Sequence, residues 1–136
     1  MAYVDGFLIP VPTKGLSAYR KLSKQAGEVW MDHGALDYKE CVGDDLTPAG
    51  VTATFPQMLK LKRGESVIFA WIVYASKAAR DRIQKKAMND PRLQGMQDCP
   101  FDPKRMLVGG FEAIVDMAPA KKPPARKKTA TKKKGR

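Results

Sequence analysis

His33 is the single histidine of the chain, and it falls at the end of a helical pattern, where the carbonyl end of a helix attracts positive charge. An acid/base or anion-binding role is one reading of it, and a helix-terminal cap hydrogen-bonded to a carbonyl is the other. Asp5, Tyr38, Glu40 and Glu112 put polar groups on strand positions among apolar neighbours. Buried acids of this kind are what ligand sites use for proton transfer, although at a wet interface the same residues find Lys or Arg partners across strands or across a dimer. Trp30 and Trp71 are large flat rings that could line a pocket for a flat ligand or simply fill the core. Arg92, Lys104 and Arg105 lie in or beside a loop before the last strand, placed to bind a carboxylate or phosphate or to pair with Asp98 and Asp102.

Other chemistries lose their usual signatures. Cys41 and Cys99 are far apart and belong to neither a CxxC pair nor a His-flanked cluster, so two reduced thiols are expected rather than a disulfide framework or a zinc site. There is no phosphate-cradling Gly-rich loop, HExxH or GxSxG, and Gly109-Gly110 alone is not a nucleotide motif. No metal or cofactor is expected.

The elements that must position these groups follow from periodicity. Tyr3 to Val11 is aromatic and β-branched and reads as a first strand ended by Pro10 and Pro12. From Gly15 to His33, Leu16, Tyr19, Leu22, Ala26, Val29, Trp30 and His33 recur at helical spacing, with Gly34 as terminator. Leu36 to Val42 alternates as a second strand, and a long connection from Leu46 to Glu65 contains a short helix started by Pro56 and closed by Gly64. Ser66 to Ala75 is a strand apolar on both sides, so both of its faces must be covered. Ser76 caps a second main helix carrying Ala79, Ile83 and Ala87 on one face, and Asn89-Asp90-Pro91 stops it. An irregular loop leads to a last strand, Met106 to Met117, whose paired glycines permit a bulge or a close approach.

The net charge of +11 is unevenly placed. Lys121, Lys122, Arg126, Lys127, Lys128, Lys132, Lys133, Lys134 and Arg136 are nine basic residues with no acid among them, leaving 16 basic residues against 14 acids before them, a body of net +2. Residues 118–136 lack core-forming side chains and are expected to be a disordered basic tail, able to contact nucleic acid through phosphates without reading bases, or merely to solvate the chain. No apolar run is long enough to span a bilayer and no signal peptide is evident, which makes a cytoplasmic location the default expectation.

The order β-α-β-β-α-β predicts an α+β, ferredoxin-like domain over residues 1–117, with both helices on one face of a four-stranded antiparallel sheet. The other face is left bare and apolar. A second copy packed sheet against sheet is the economical cover, with the 46–65 connection or the loop around Phe101 as the alternative. Tyr3-Val4-Asp5-Gly6-Phe7, the run Trp30 to Tyr38, the strand Ser66 to Ser76, Asp90-Pro91-Arg92 and the segment Cys99 to Glu112 together resemble the bacterial family called domain of unknown function 1428, over about residues 2 to 117. The resemblance implies the dimeric α/β-barrel superfamily and no particular activity.

The function expected is binding of a small molecule between sheet and helices, with Asp5, His33, Tyr38, Trp71 and Arg105 as pocket contacts. A non-catalytic homodimer using its paired tails on nucleic acid is the alternative, as is, by superfamily analogy alone, a cofactor-independent oxygenase or isomerase.

Overall fold

A computed structural model of the chain describes residues 1–95 and 99–119. The strands are β1 (Tyr3–Pro12), β2 (Asp37–Val42), β3 (Glu65–Tyr74) and β4 (Leu107–Glu112), and the helices are α1 (Leu16–Asp32), α2 (Phe55–Leu59), α3 (Lys77–Met88) and α4 (Pro91–Gln94). All strand pairs are antiparallel and the sheet order is β2-β3-β1-β4, the ferredoxin-like arrangement. Among the described residues no helix is long and apolar enough to cross a membrane. The basic residues from Lys121 to Arg136 lie outside the described residues.

Strand alternation divides the side chains cleanly. Ile9, Val11, Ile68 and Ala70 point to the helix side, where they are buried with Tyr19 of α1, while Ile72 and Tyr74 pack there against Ala79 and Ile83 of α3. Val4, Leu8, Phe69, Trp71, Leu107 and Phe111 occupy the alternate positions on the open face. Phe55 stacks on Phe69 with ring centroids 6.5 Å apart, so the long connection covers one end of that face. The cover is partial, since Phe69 remains 49% exposed. Phe101, by contrast, lies on the helix side, edge-on to Tyr19 at 5.7 Å, and its loop covers none of the open face.

Local signals set the ends of most elements. Ser76 accepts from Ala79 N and caps α3, and Gly34, at φ +115°, turns the chain out of α1 where an L side chain would be strained. Pro10 does not end β1, which runs on to Pro12. Thr13 N donates to Gly64 O, so the alternate nitrogens at 10 and 12 point away from β3, and on that side β4 has already stopped at the partner of Leu8. No ladder hydrogen bond is asked of either proline.

Three other expectations are corrected. Pro91 begins a helix rather than opening an irregular loop, because Asp90 accepts from Arg92 N and supplies the cap for α4. The last strand ends at Glu112, and Ile114, Val115 and Met117 stand exposed beyond it. Gly109 and Gly110 lie in regular register opposite Gly6 and Asp5, without a bulge; a Cβ at Gly110 would collide with the Tyr3 phenol, so the missing side chain gives room to that ring.

One polar chain ties these layers together. Arg80 of α3 donates to Asp5 Oδ1 at 2.6 Å, Tyr74 Oη donates to Asp5 Oδ2 at 3.1 Å, and Trp30 Nε1 of α1 donates to Tyr74 Oη at 3.0 Å. Asp5 is 3% exposed, so loss of its cation would strand a buried charge. Arg80→Met is expected to lower the unfolding free energy by about 3 kcal/mol, the cost of removing one partner from a buried pair, as measured by urea denaturation.

Candidate functional site

A cavity of about 500 Å3 lies between the sheet and helices α1 and α3. Its walls explain it. Helix α1 presents Tyr19, Ser23, Ala26 and Trp30 at spacings of three and four, and the sheet answers with Phe7, Ala70 and Ile72. Ser23, Ala26 and Ala70 are too short to meet across the gap, while the large rings at either end hold the layers apart.

The polar end of the cavity is Glu40 on β2, which pairs with Ala70 of β3. Tyr19 Oη donates to Glu40 Oε1 and Tyr38 Oη donates to Glu40 Oε2, each at 2.8 Å. Tyr38 reaches Glu40 because residues two apart on a strand share a face. Its ring lies against α1 at Gly27, where a Cβ would come within 2.8 Å of Tyr38 Cε1. Among the described residues no Lys or Arg forms an ion pair with Glu40. Burial therefore pushes its carboxyl above the usual carboxylate range, with the two phenol hydrogen bonds pulling the other way. Burial, and then the neighbouring Glu40 charge, push the Tyr19 and Tyr38 phenols upward as well, so both stay protonated as donors.

Asp5 faces the same cavity in a different state. Its carboxylate oxygens are taken by Arg80 and Tyr74, and the negative charge beside Tyr74 adds to burial in raising that phenol. One acid of the cavity is neutralised by a cation and the other is not.

The remaining residues singled out in the sequence go elsewhere. His33 is the C-cap residue of α1, and its ring Nε2 lies 2.9 Å from Asp90 Oδ2. Arg92, followed by His33, holds the Asp90 carboxyl well below the usual range, and the group forms a clasp between α1, α3 and α4. Trp71 is on the open face, where its Nε1 donates to Asp37 Oδ2 at 3.4 Å, so Trp30 and Trp71 lie on opposite sides of the sheet. Arg105 pairs with Glu65 and donates to Lys60 O at 3.1 Å, closing the end of α2; its partner is Glu65 rather than Asp102, and Asp98 lies outside the described residues. Of the five expected pocket contacts, Asp5, Tyr38 and Trp71 border one cavity, Trp71 with its side chain turned to the open face, while His33 and Arg105 lie in other surroundings.

Tyr19 and Glu40 were the residues to find. The Tyr38-x-Glu40 spacing places those two on one face, but no local pattern shows that Tyr19 meets them. Among the described residues no group of three or more His, Cys, Asp and Glu is placed to hold a metal ion.

Comparison with known proteins gives the family. The sequence pattern of the family described as "Protein of unknown function (DUF1428)" matches residues 2–103. The chain belongs to this family. Uncharacterized protein YbaA of Escherichia coli K12 is 42% identical over 117 residues, covering 85% of this chain and 99% of the relative, and the Shigella flexneri protein of the same name matches to the same extent. The DUF1428 match ends before β4, whereas the YbaA alignments cover a longer stretch. Among solved structures, Rv0793 from Mycobacterium tuberculosis superposes with a TM-score of 0.53 at 14% identity, covering 87% of this chain and all of that one, a likeness of fold. The family description carries no activity, so the DUF1428 fold leaves function to be argued from the cavity.

The raised carboxyl gives a pH signature of definite sign. Between the ordinary Glu value and its raised folded value the folded state binds more protons, so Glu40 costs stability as pH rises through that window. Glu40→Gln is expected to unfold at a higher temperature than the native chain at pH 7.5, with the gap closing below about pH 4, where both side chains are neutral. Calorimetry at both pH values checks this.

Proposed function

We propose that the domain binds a small, largely apolar molecule in the cavity between the sheet and helices α1 and α3, with Glu40 and its two phenols as the polar end. The observation that supports this is the retention of a half-buried carboxylate, without a cation, at the wall of a cavity of about 500 Å3. That volume lies within the range of small-molecule sites, roughly 300 to 1,000 Å3. A carboxylate kept there against its desolvation cost is a function-bearing group in a region where an apolar residue would pack better.

A thermal-shift screen of small metabolites tests the reading. Ligands are expected to raise the unfolding temperature of the native chain and to bind Ala26→Leu at least tenfold more weakly, about 1.4 kcal/mol or more, because the longer side chain fills the cavity from α1. Equal binding by the variant places the ligand elsewhere and overturns the proposal.

The partner that best fits the open face is a second copy. Phe69, Leu107 and Phe111 remain 49%, 54% and 62% exposed there, beside half-buried Val4, Leu8 and Trp71, and sheets of this kind pack face to face about 10 Å apart. Light scattering is expected to give twice the chain mass, and Leu107→Glu to give the monomer with its far-UV circular dichroism unchanged. A monomeric native chain would sink this part of the reading.

A further inference from the structure

Ligand charge is written into the pairing of the charged groups around the cavity. Each oxygen of Glu40 accepts one phenol, Oε1 from Tyr19 and Oε2 from Tyr38. A carboxylate offers about four lone-pair sites, so roughly half of its accepting capacity is unused. Neither phenol brings charge. The cations nearby are already committed: Arg80 to Asp5 and Asp81, and Lys39 to Asp37 at 2.6 Å.

We propose that the ligand is an organic cation, an amine on an apolar body, whose ammonium group seats on Glu40 between Tyr19 and Tyr38. This rests on the cavity being the binding site, and it names the ligand class. An ammonium supplies both missing items, a positive charge and donors for the free lone pairs. The walls suit it as well, since Phe7, Trp30 and Phe101 join the two tyrosines in lining the cavity, and aromatic faces attract cations, most strongly where water is excluded. A carboxylate or phosphate ligand would meet the negative charge of Glu40, and the one cation lining the cavity, Lys39, is paired with Asp37. A neutral ligand would seal that charge away from water with no counter-charge, a costly burial.

The neutral cavity end and the charged one also predict an orientation. Asp5 is satisfied by Arg80 and Tyr74, so it makes no comparable demand on the ligand. The ammonium points to β2 and the apolar body runs between α1 and the central strands.

Matched probes test this on the full chain: 3-phenylpropylamine, 3-phenylpropanol and 3-phenylpropionate, with the naphthyl and indolyl counterparts to vary the body. Affinities are measured by calorimetry at pH 7.5 on the native chain, Glu40→Gln and Ala26→Leu, after each variant's unfolding midpoint has shown that it is folded. The expected result is that amines bind at least tenfold tighter than the matched alcohols and that carboxylates bind weakest. Glu40→Gln is expected to erase the preference for the amine over the alcohol, while Ala26→Leu weakens all probes. If alcohols or carboxylates match the amines on the native chain and Ala26→Leu still weakens them, the amine assignment falls and the cavity stands. If amines keep their advantage in Glu40→Gln, the charge is read elsewhere and the assignment also falls. Binding by no probe, together with silence in the metabolite screen, overturns the cavity itself.

Discussion

The ion pair between Arg80 and Asp5 is the interaction on which the rest of the interior depends. A buried carboxylate on a central strand would be intolerable under two helices without a cation and a second donor, and Arg80 and Tyr74 provide them. Through the Tyr74 hydroxyl and the Trp30 indole the same network reaches α1, so both helices are set against β1 and β3 by directional bonds as well as by packing. With that position settled, the small residues facing each other further along leave a space that no side chain fills. Glu40 stands at the edge of this space.

The two acids illustrate how burial and partner together decide what a group does. Asp5 is more deeply buried, yet its partners make it structural. Glu40 is less deeply buried and has phenols only, so its charge is carried at a cost and stays available to something that enters. Natural interiors rarely keep such a group unless it serves, because a neutral side chain of the same shape would be cheaper.

On the far side of the sheet the constraint is geometric. Side chains alternate between faces, so a β3 that is apolar throughout serves the helix side with Ile68, Ala70 and Ile72 and presents Phe69, Trp71 and Val73 to the other. The 43–64 connection covers only the end near Phe55. The exposed remainder is continuous with the side chains of Phe111 and Leu107 on the edge strand β4.

Much of this was legible in the order of residues. The periods of α1, α3 and the strands, the caps at Ser76 and Gly34, and the βαββαβ order all arise from neighbours a few positions apart, where backbone geometry alone relates them. The errors came where a local signal had two physical outcomes: a proline starts a helix as readily as it stops one, as at Pro91, and it sits within a strand when its nitrogen faces an unpaired edge, as at Pro10. The site was less legible. Asp5 and Tyr38 could be singled out as polar groups among apolar ones, and Glu40 could be seen beside them. Whether each meets a cation, a phenol or a cavity depends on residues far apart in the chain, Tyr19 with Glu40, Arg80 with Asp5, His33 with Asp90, and these meetings exist only once the helices have docked. Periodicity tells which face a side chain takes, since that follows from backbone repeat; it is the packing of whole elements that chooses its partner, and the partner sets the charge state on which function rests.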